Sequence, residues 1–459
     1  MYQLPSRFIF TADEEYQATY AKTIVDDFHP VWIGVSAGDT GFYLGPYFTY
    51  FTAFWLKLSA GDPLITGYAS AVLGSFTAVI LYYLGQAIFS TQTGFFGAMF
   101  YAFSPLMVYF DQRYWNPSPV PLITCLLLLA LIKLKDNGWW LVVVSFCLGA
   151  IWHVHLSLVP SYLLAIWAIW RMRSRLPVKT WLLSLAVMGM MLLPLVIFDY
   201  NHAWSNILTP VRLLQSGGRS LALSSHIGKL GETLARFTYL TPGLTNDGEL
   251  RNSCQTGSTT PSFLLILLIC LPLLIYLLQK QSWQDYRRQI LTFAFLLLCL
   301  SFITYPGPIS AYYALGLIPL YFLIISSIIG RFNWPFLMVF VILSVRTLSM
   351  TDNSYGLSAK RILIQQVMTI VKSDTYTLRE AGDCHKYAGW RYLFLSSGRP
   401  PSTSSTDSAL GWLYPREIGS PGKYLVVVGA TPEVSPIPSA LAVIGSGGYT
   451  AYITLNQNP

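Results

Sequence analysis

The densest group of side chains that could do acid–base chemistry lies near the start of the chain, where Asp13, Glu14 and Glu15 follow Thr11. The cluster comes after the apolar residues 8–10 and before residues with helical spacing, so we expect a helix to begin at this point. A carboxylate held there can accept a proton from an attacking hydroxyl or amine group. The alternative interpretation is a solvated acidic loop without a chemical role.

Arg113 and Asn116 lie in a short polar turn between two apolar runs. The planar guanidinium of an arginine can bind a phosphate through two parallel hydrogen bonds, which makes this turn a candidate phosphate-binding site. Arginine and aromatic residues also anchor helices at membrane interfaces. The pattern alone leaves both interpretations open.

A histidine pair and a tyrosine pair form two further candidate groups. His153 and His155 are two residues apart and do not share a helix face, which disfavours a paired metal site. We expect one of them to line a cavity and the other to pack in the interior. Tyr312 and Tyr313 precede a late apolar run, a position typical of an interfacial aromatic belt. His155, Tyr312 and Tyr313 are taken as candidate substrate-binding residues.

The composition shows what kind of protein must hold these groups. Hydrophobic residues make up 53% of the 459 residues and charged residues only 11%, whereas a soluble domain carries about a quarter charged residues. This excludes a soluble enzyme, a disordered chain and a coiled coil, and it indicates a polytopic membrane protein. The net charge of +8 comes from short basic clusters between apolar runs, which favours membrane orientation over nucleic-acid binding.

Windowed hydropathy predicts ten membrane spans, each of roughly 20 residues. They lie at about 64–89, 94–110, 117–134, 139–155, 156–170, 177–198, 261–279, 289–305, 310–330 and 334–350. The aromatic run 41–60 has the character of an interfacial helix rather than a span.

The basic residues in short loops predict the orientation. If each span crosses once, ten basic and two acidic residues fall on one side, which the positive-inside rule identifies as the cytoplasm. The basic residues are Lys133, Lys135, Arg171, Arg173, Arg175, Lys179, Lys280, Arg287, Arg288 and Arg331. The acidic cluster and everything after residue 350 then lie on the non-cytoplasmic side.

We predict three parts along the chain. Residues 1–62 form an extracytoplasmic acidic loop with interfacial helices, and 63–350 form the transmembrane domain with a long outer loop at 199–260. Residues 351–459 form a small extracytoplasmic α/β domain, with helical spacing at 358–373 and short strands at 392–395 and 424–428. The expected fold is an all-α polytopic membrane protein of about ten transmembrane helices with a small C-terminal α/β domain.

Several stretches resemble the GT-C superfamily of polytopic glycosyltransferases, and within it the protein O-mannosyltransferase-like and aminoarabinose transferase-like group of family 39 type. They are the Asp13-Glu14 pair, GFYLGPYFTYFTAFW at 41–55, FGAMFYAFSPLMVYFDQRYWNPS at 96–118 and AYYALGLIPLYFL at 311–323. The likeness is strong over about 8–200 and diffuse beyond that range.

The resemblance implies that the protein transfers a sugar from a polyprenyl-phosphate carrier to an acceptor on the non-cytoplasmic face of the plasma or inner membrane. Asp13 matches the family's base, and Glu14 would help to orient the site or bind the acceptor. Many relatives carry an Asp where this chain has Asn116. Members begin with a span before the acidic loop, so we expect an apolar run of about 20 residues to be encoded in frame upstream.

The resemblance leaves several properties open. The acceptor is a glycan, a lipid or a protein, and one sequence does not identify the sugar or the oligomeric state. A divalent metal ion is compatible with such a site, but no spacing of residues requires one. No nucleic-acid partner is expected.

Two other classes of protein compete with this interpretation. Transporters and lipid flippases place ionisable residues near mid-membrane and often contain a repeat between halves. The predicted span centres are nearly free of charge and no repeat is visible, which argues against transport. A non-catalytic scaffold that presents the C-terminal domain would tolerate any change at Asp13.

Cysteine-accessibility labelling tests the predicted topology. Single cysteines introduced in the segments 171–179 and 397–410 should react with an impermeant reagent from opposite sides of the membrane, because an odd number of predicted spans separates them. Labelling of both segments from the same side would contradict the topology.

Overall fold

The computed structural model describes residues 3–37, 40–173, 176–215, 223–238, 263–305, 311–350, 353–382 and 389–456. In the predicted outer loop 199–260, residues 216–222 and 239–260 lie outside the described residues.

Three helices precede the apolar bundle: α1 Leu4–Arg7, α2 Ala12–Asp27 and α3 Tyr47–Leu58. The helix α3 confirms a helix within the aromatic run 41–60. The first half of the bundle contains α4 Leu64–Ile88, α5 Thr91–Phe103, α6 Pro105–Asp111, α7 Val120–Lys133, α8 Trp140–Val154, α9 Ser161–Met172 and α10 Val178–Asn201. The second half contains α11 Ser205–Gln215, α12 Leu223–Thr238, α13 Phe263–Leu278, α14 Lys280–Gln284, α15 Tyr286–Thr304, α16 Leu317–Ile329 and α17 Asn333–Ser349.

Within the described residues, four helical stretches are long and apolar enough to cross a membrane, or five when the bent pair α5–α6 counts as one span. They are α4, α10, α15 and the stretch Leu317–Ser349. The helices α7 and α8 and the stretch Leu156–Met172 are apolar but shorter. Every one of the ten predicted runs contains an apolar helix, and the chain is a polytopic membrane protein.

The stretch Leu317–Ser349 consists of two antiparallel helices, α16 and α17, because the chain turns at Gly330 with a φ of +55°. Both helices pack along α5 in opposite directions. The contacts are Phe322 with Phe100 and Ser326 with Thr93 for α16, and Trp334 with Phe96 and Phe340 with Phe100 for α17. The prediction of separate spans at 310–330 and 334–350 is therefore confirmed as two helices.

The predicted span 94–110 is bent by 68° between α5 and α6. Pro105 disfavours helical geometry at the preceding residue and has no N–H to donate. Ser104 accordingly adopts an extended conformation and caps α6, its hydroxyl oxygen accepting a hydrogen bond from the Met107 N–H at 3.5 Å. The run predicted as one span thus consists of two helices joined at a bend, and the turn that carries Arg113 follows the second of them.

A second break separates α8 from α9 at the predicted position. His155 is extended and ends α8, and its Nδ1 accepts a hydrogen bond from the Ser157 N–H at 3.2 Å. A short 3-10 turn, Leu156–Leu158, follows before α9 begins. The division of 139–170 near His155 is confirmed.

The C-terminal domain contains α18 Leu357–Val371, α19 Trp390–Ser396 and α20 Asp407–Leu410. Its strands are β1 Tyr376–Glu380, β2 Thr403–Ser404, β3 Tyr424–Ala430, β4 Ala442–Ser446 and β5 Tyr449–Leu455. The sheet has the order β2-β1-β3-β5-β4, with β1 parallel to β2 and β3, and β5 antiparallel to β3 and β4. The α18 helix and the β3 strand confirm the predictions at 358–373 and 424–428.

The predicted strand at 392–395 is wrong, because these residues lie in α19. Tyr392, Leu393 and Phe394 are all buried. A run of four apolar residues has no polar–apolar alternation, so its pattern fits a short buried helix as well as a strand. The segment 397–410 also contains β2 and α20 rather than loop alone.

One hydrophobic core joins the N-terminal segment to the C-terminal domain. It includes Leu4, Phe8, Phe10, Ala21, Leu363, Trp390, Phe394 and Val428. The Leu357 N–H donates to the Phe8 carbonyl oxygen at 2.8 Å. The division of the chain at 62 and 350 stays a prediction, and the structure adds that its first and last parts share a core.

Close packing of α4 and α5 generates a stability prediction. A Cβ on Gly94 would lie 2.3 Å from the Tyr82 carbonyl oxygen, which is backbone and cannot move aside. We expect Gly94→Ala to lower the unfolding temperature of the purified protein, at a cost of about 1–3 kcal/mol. Gly189→Ala is the control, since a Cβ there meets nothing within 4 Å; an equal loss in both variants would contradict this account.

Candidate active site

The acidic cluster lies in the first turn of α2, as the sequence predicts. Thr11 precedes the helix in an extended conformation. Its backbone N–H and its hydroxyl both donate to Glu14 Oε2, at 3.0 and 2.6 Å. This is the reciprocal bond of a capping box, and it turns the Glu14 carboxylate back toward the start of the helix.

Glu14 is held from the other side by Arg113. The Nε and Nη2 atoms of Arg113 donate to Glu14 Oε1 at 3.1 and 3.0 Å. Glu14 is 2% exposed and Arg113 9%, so the pair is buried, and the guanidinium lies 4.2 Å from the centre of the Trp115 ring. The guanidinium edge that the sequence analysis assigned to a phosphate therefore faces Glu14.

Asp13 is the accessible member of the cluster. Its side chain is 64% exposed, and its Oδ2 lies 4.0 Å from Arg113 Nη2. Desolvation by the surrounding protein and then the charge of Glu14 raise the pKa of Asp13 above its ordinary value of 3.8, while Arg113 opposes the shift. Because solvent reaches most of the Asp13 side chain, the charge of Glu14 contributes more to the raised pKa than desolvation does.

Asn116 is buried and connects the Arg113 turn to α8. Its Nδ2 donates to the His153 carbonyl oxygen at 3.2 Å. The His153 ring is 2% exposed and fits against Gly45, where a Cβ would lie 2.0 Å from Nδ1. Nδ1 accepts from the Tyr47 N–H at 3.3 Å, which assigns the proton to Nε2 for donation to the Met191 carbonyl at 2.7 Å. His153 is thus the interior packing histidine of the expected pair.

Trp115, Tyr312, Tyr313 and His155 form a continuous aromatic row. The ring centres are 4.6 Å apart for Trp115–Tyr312, 4.7 Å for Tyr312–Tyr313 and 5.1 Å for His155–Tyr313. Because Arg113 lies on Trp115, the row extends from the acidic cluster to His155. The structure thus brings Asp13, Glu14, Arg113, Asn116, His155, Tyr312 and Tyr313 into one connected region.

Sequence reasoning assigned no role to Glu15 and did not select Lys360, yet both are fully buried beside the cluster. Burial, followed by the charge of Glu380, raises the pKa of Glu15, and burial lowers the pKa of Lys360. The available signal was the position of Glu15 one helical turn before Ala18, because an acid beside an apolar residue on a buried helix face requires a partner.

No group of three His, Cys, Asp or Glu side chains is arranged to hold a metal ion within the part of the chain that the structure describes. The same part includes every residue selected from the sequence as a candidate site residue.

The apolar bundle, the acidic helix packed against it and the small mixed domain together make a fold that solved structures of other proteins share. Two crystal structures of ArnT from Cupriavidus metallidurans share this fold at 11% sequence identity. The apo structure has a TM-score of 0.61 and covers 98% of this chain and 94% of its own. The structure bound to undecaprenyl phosphate has a TM-score of 0.56 and covers 99% and 95%. No protein-family model and no curated protein sequence matches the chain.

The Arg113–Glu14 pair predicts a large loss of stability when one partner is removed. Arg113→Met should lower the free energy of unfolding by about 3–5 kcal/mol, because it leaves the buried Glu14 charge unpaired. Adding Glu14→Gln to that variant should recover part of the loss. Chemical unfolding of the four proteins of this double-mutant cycle measures the coupling, and additive effects would show that the two side chains do not interact.

Proposed function

We propose that the protein is a membrane glycosyltransferase that moves a sugar from a polyprenyl-phosphate carrier to an acceptor on the non-cytoplasmic face, with Asp13 as the general base. The observation that carries this proposal is the state of the cluster, in which Asp13 stays accessible while Glu14 is buried against Arg113. The fold shared with ArnT, a protein crystallised with undecaprenyl phosphate, supports the class of donor.

The proposed reaction is a single displacement. The acceptor hydroxyl or amine attacks the anomeric carbon of the sugar, and the bond from that carbon to the phosphate oxygen breaks. The acceptor proton passes to the Asp13 carboxylate, and the polyprenyl phosphate leaves with the bonding electron pair. A phosphate is a good leaving group, so the main tasks of the protein are to position the anomeric carbon and to activate the acceptor.

Each neighbour of Asp13 has a task in this proposal. Glu14 orients the start of α2 through its bonds to Thr11 and Arg113. Arg113, 4.0 Å from Asp13, contributes positive charge near the departing phosphate. Tyr312 and Tyr313, which lie between Trp115 and His155 in the aromatic row, are proposed to contact the lipid phosphate.

His155 and Asn116 complete the proposed donor site. The His155 ring lies 5.7 Å from the Tyr312 ring, centre to centre, and its Nδ1 is bonded to the Ser157 hydroxyl at 2.8 Å. The other ring nitrogen, Nε2, is proposed to form a hydrogen bond with the donor. Asn116 is proposed to support the donor site indirectly, because its amide donates a hydrogen bond to the His153 carbonyl oxygen.

Removal of the proposed base should abolish most of the transfer. We expect Asp13→Asn to lower kcat by about 10²–10⁴-fold, because an amide does not take up the acceptor proton at neutral pH. The assay incubates the protein with a panel of polyprenyl-phosphate sugars and follows lipid and acceptor products by mass spectrometry. Asp27→Asn, at the exposed end of α2, is the matched control and should retain wild-type turnover.

Two results of this assay would contradict the proposal. Near wild-type turnover by Asp13→Asn would remove Asp13 from the mechanism. Movement of intact sugar-lipid across proteoliposomes without cleavage, undiminished in Asp13→Asn, would favour a flippase.

The pH profile gives an independent check on the base. Only the deprotonated carboxylate acts, so kcat/KM should rise with pH through the pKa of Asp13, which lies above 3.8. Glu14→Gln removes a charge that raises this pKa, so the acidic limb of its profile should move to lower pH. Asp26→Asn, with an exposed charge on the same helix, should leave the limb in place. An acidic limb that does not move in Glu14→Gln would separate the limb from Asp13.

A further inference from the structure

Glu15 attaches the start of α2 to the C-terminal domain. It is fully buried, and its two carboxylate oxygens accept hydrogen bonds from the backbone of another part of the chain. Oε1 accepts from the Tyr392 N–H at 2.7 Å and Oε2 from the Gly389 N–H at 3.2 Å. These donors lie at the beginning of α19, more than 370 residues along the chain.

Lys360 makes a second attachment just before the acidic cluster. Its Nζ donates to the Phe10 carbonyl oxygen at 2.8 Å and lies 4.6 Å from the centre of the Trp390 ring. Gly389 approaches the same carbonyl so closely that a Cβ there would lie 2.6 Å from the Phe10 oxygen. The residues on both sides of Asp13 are therefore held by the C-terminal domain.

Glu14 connects the same helical turn to the bundle through Arg113. Successive residues of a helix are rotated by about 100°, so Asp13, Glu14 and Glu15 point in three directions. Two of the three carboxylates are bonded, one to the bundle and one to the C-terminal domain, and only Asp13 is left exposed.

We propose that Glu15 and Lys360 are positioning residues for Asp13, which fix the first turn of α2 between the C-terminal domain and the helix bundle. The inference rests on the proposed function, in which Asp13 is the base. Neither residue needs to touch the substrate. They act by holding the backbone on both sides of it, and a misplacement of about 1 Å at a reacting group can cost 10²-fold in rate.

The decisive comparison is between Glu15→Ala and Asp374→Ala in the full-length protein. Asp374 is the control because its carboxylate accepts from Lys423 Nζ at 2.7 Å, a bond that lies within the C-terminal domain and involves no residue of α19. We expect Glu15→Ala to lower kcat by about tenfold or more with KM for the lipid donor changed by less than about twofold. Asp374→Ala should change neither.

Two conservative variants separate positioning from folding. Glu15→Gln keeps one oxygen that can accept from the Tyr392 N–H, so it should recover part of the lost kcat; it also carries the comparison if Glu15→Ala does not fold. Lys360→Met keeps the length and apolar stem of the side chain but loses the bond to Phe10, and it should lower kcat in the same way. A kcat within about twofold of wild type in Glu15→Ala, or an equal fall in Asp374→Ala, would overturn the proposal.

Hydrogen exchange provides a readout that does not depend on sugar transfer. Amides of residues 11–16 should exchange faster in Glu15→Ala than in the wild type, and at the wild-type rate in Asp374→Ala. If the wild-type protein transfers no sugar, the proposed function fails. Exchange then decides the attachment alone: faster exchange confined to the Glu15 variants supports it, and equal exchange in all variants overturns it.

Discussion

An α-helix rotates about 100° per residue, and this constraint determines how three consecutive acids at the start of α2 are used. Only one carboxylate can face open solvent while its neighbours turn into protein. Glu14 turns toward Arg113 and Glu15 toward the backbone at Gly389 and Tyr392. Since a buried charge is tolerated only with partners, the positions of the bundle turn and of α19 are tied to this one helical turn.

A local break in helical structure positions Arg113, the partner of Glu14. The Ser104–Pro105 break bends the chain by 68°, and the turn after α6 then presents Arg113 toward α2. The Arg113 carbonyl oxygen accepts from the hydroxyls of Ser70 and Ser118 at 2.5 and 3.0 Å. These bonds fix the backbone of the turn and thereby the position of the Arg113 side chain. The guanidinium packs on the Trp115 ring, which in turn contacts the Tyr312 ring.

Features that depend on residues close together along the chain could be predicted from the sequence. Contacts between residues far apart along the chain could not. The helix start at Thr11, the apolar runs and the break at His155 follow from spacing, capping residues and hydropathy. The bend at Pro105 was underestimated, because proline is tolerated in membrane helices when neighbours satisfy the freed groups. The buried helix at 390–396 lacked any period. The bonds from Glu15 and Lys360 join residues 350 or more positions apart, and no local pattern encodes such a pairing.

That separation has a consequence for biosynthesis. Phe8, Phe10 and Ala21 belong to a core that also includes Trp390 and Val428, which are translated several hundred residues later. The acidic helix is therefore synthesised long before the C-terminal part of this core. The intervening bundle must insert into the membrane before the C-terminal part can pack against the helix. Until Gly389 and Tyr392 emerge, Glu15 lacks the two backbone amides that it binds in the folded protein. The first turn of α2 therefore reaches its final geometry only late in synthesis.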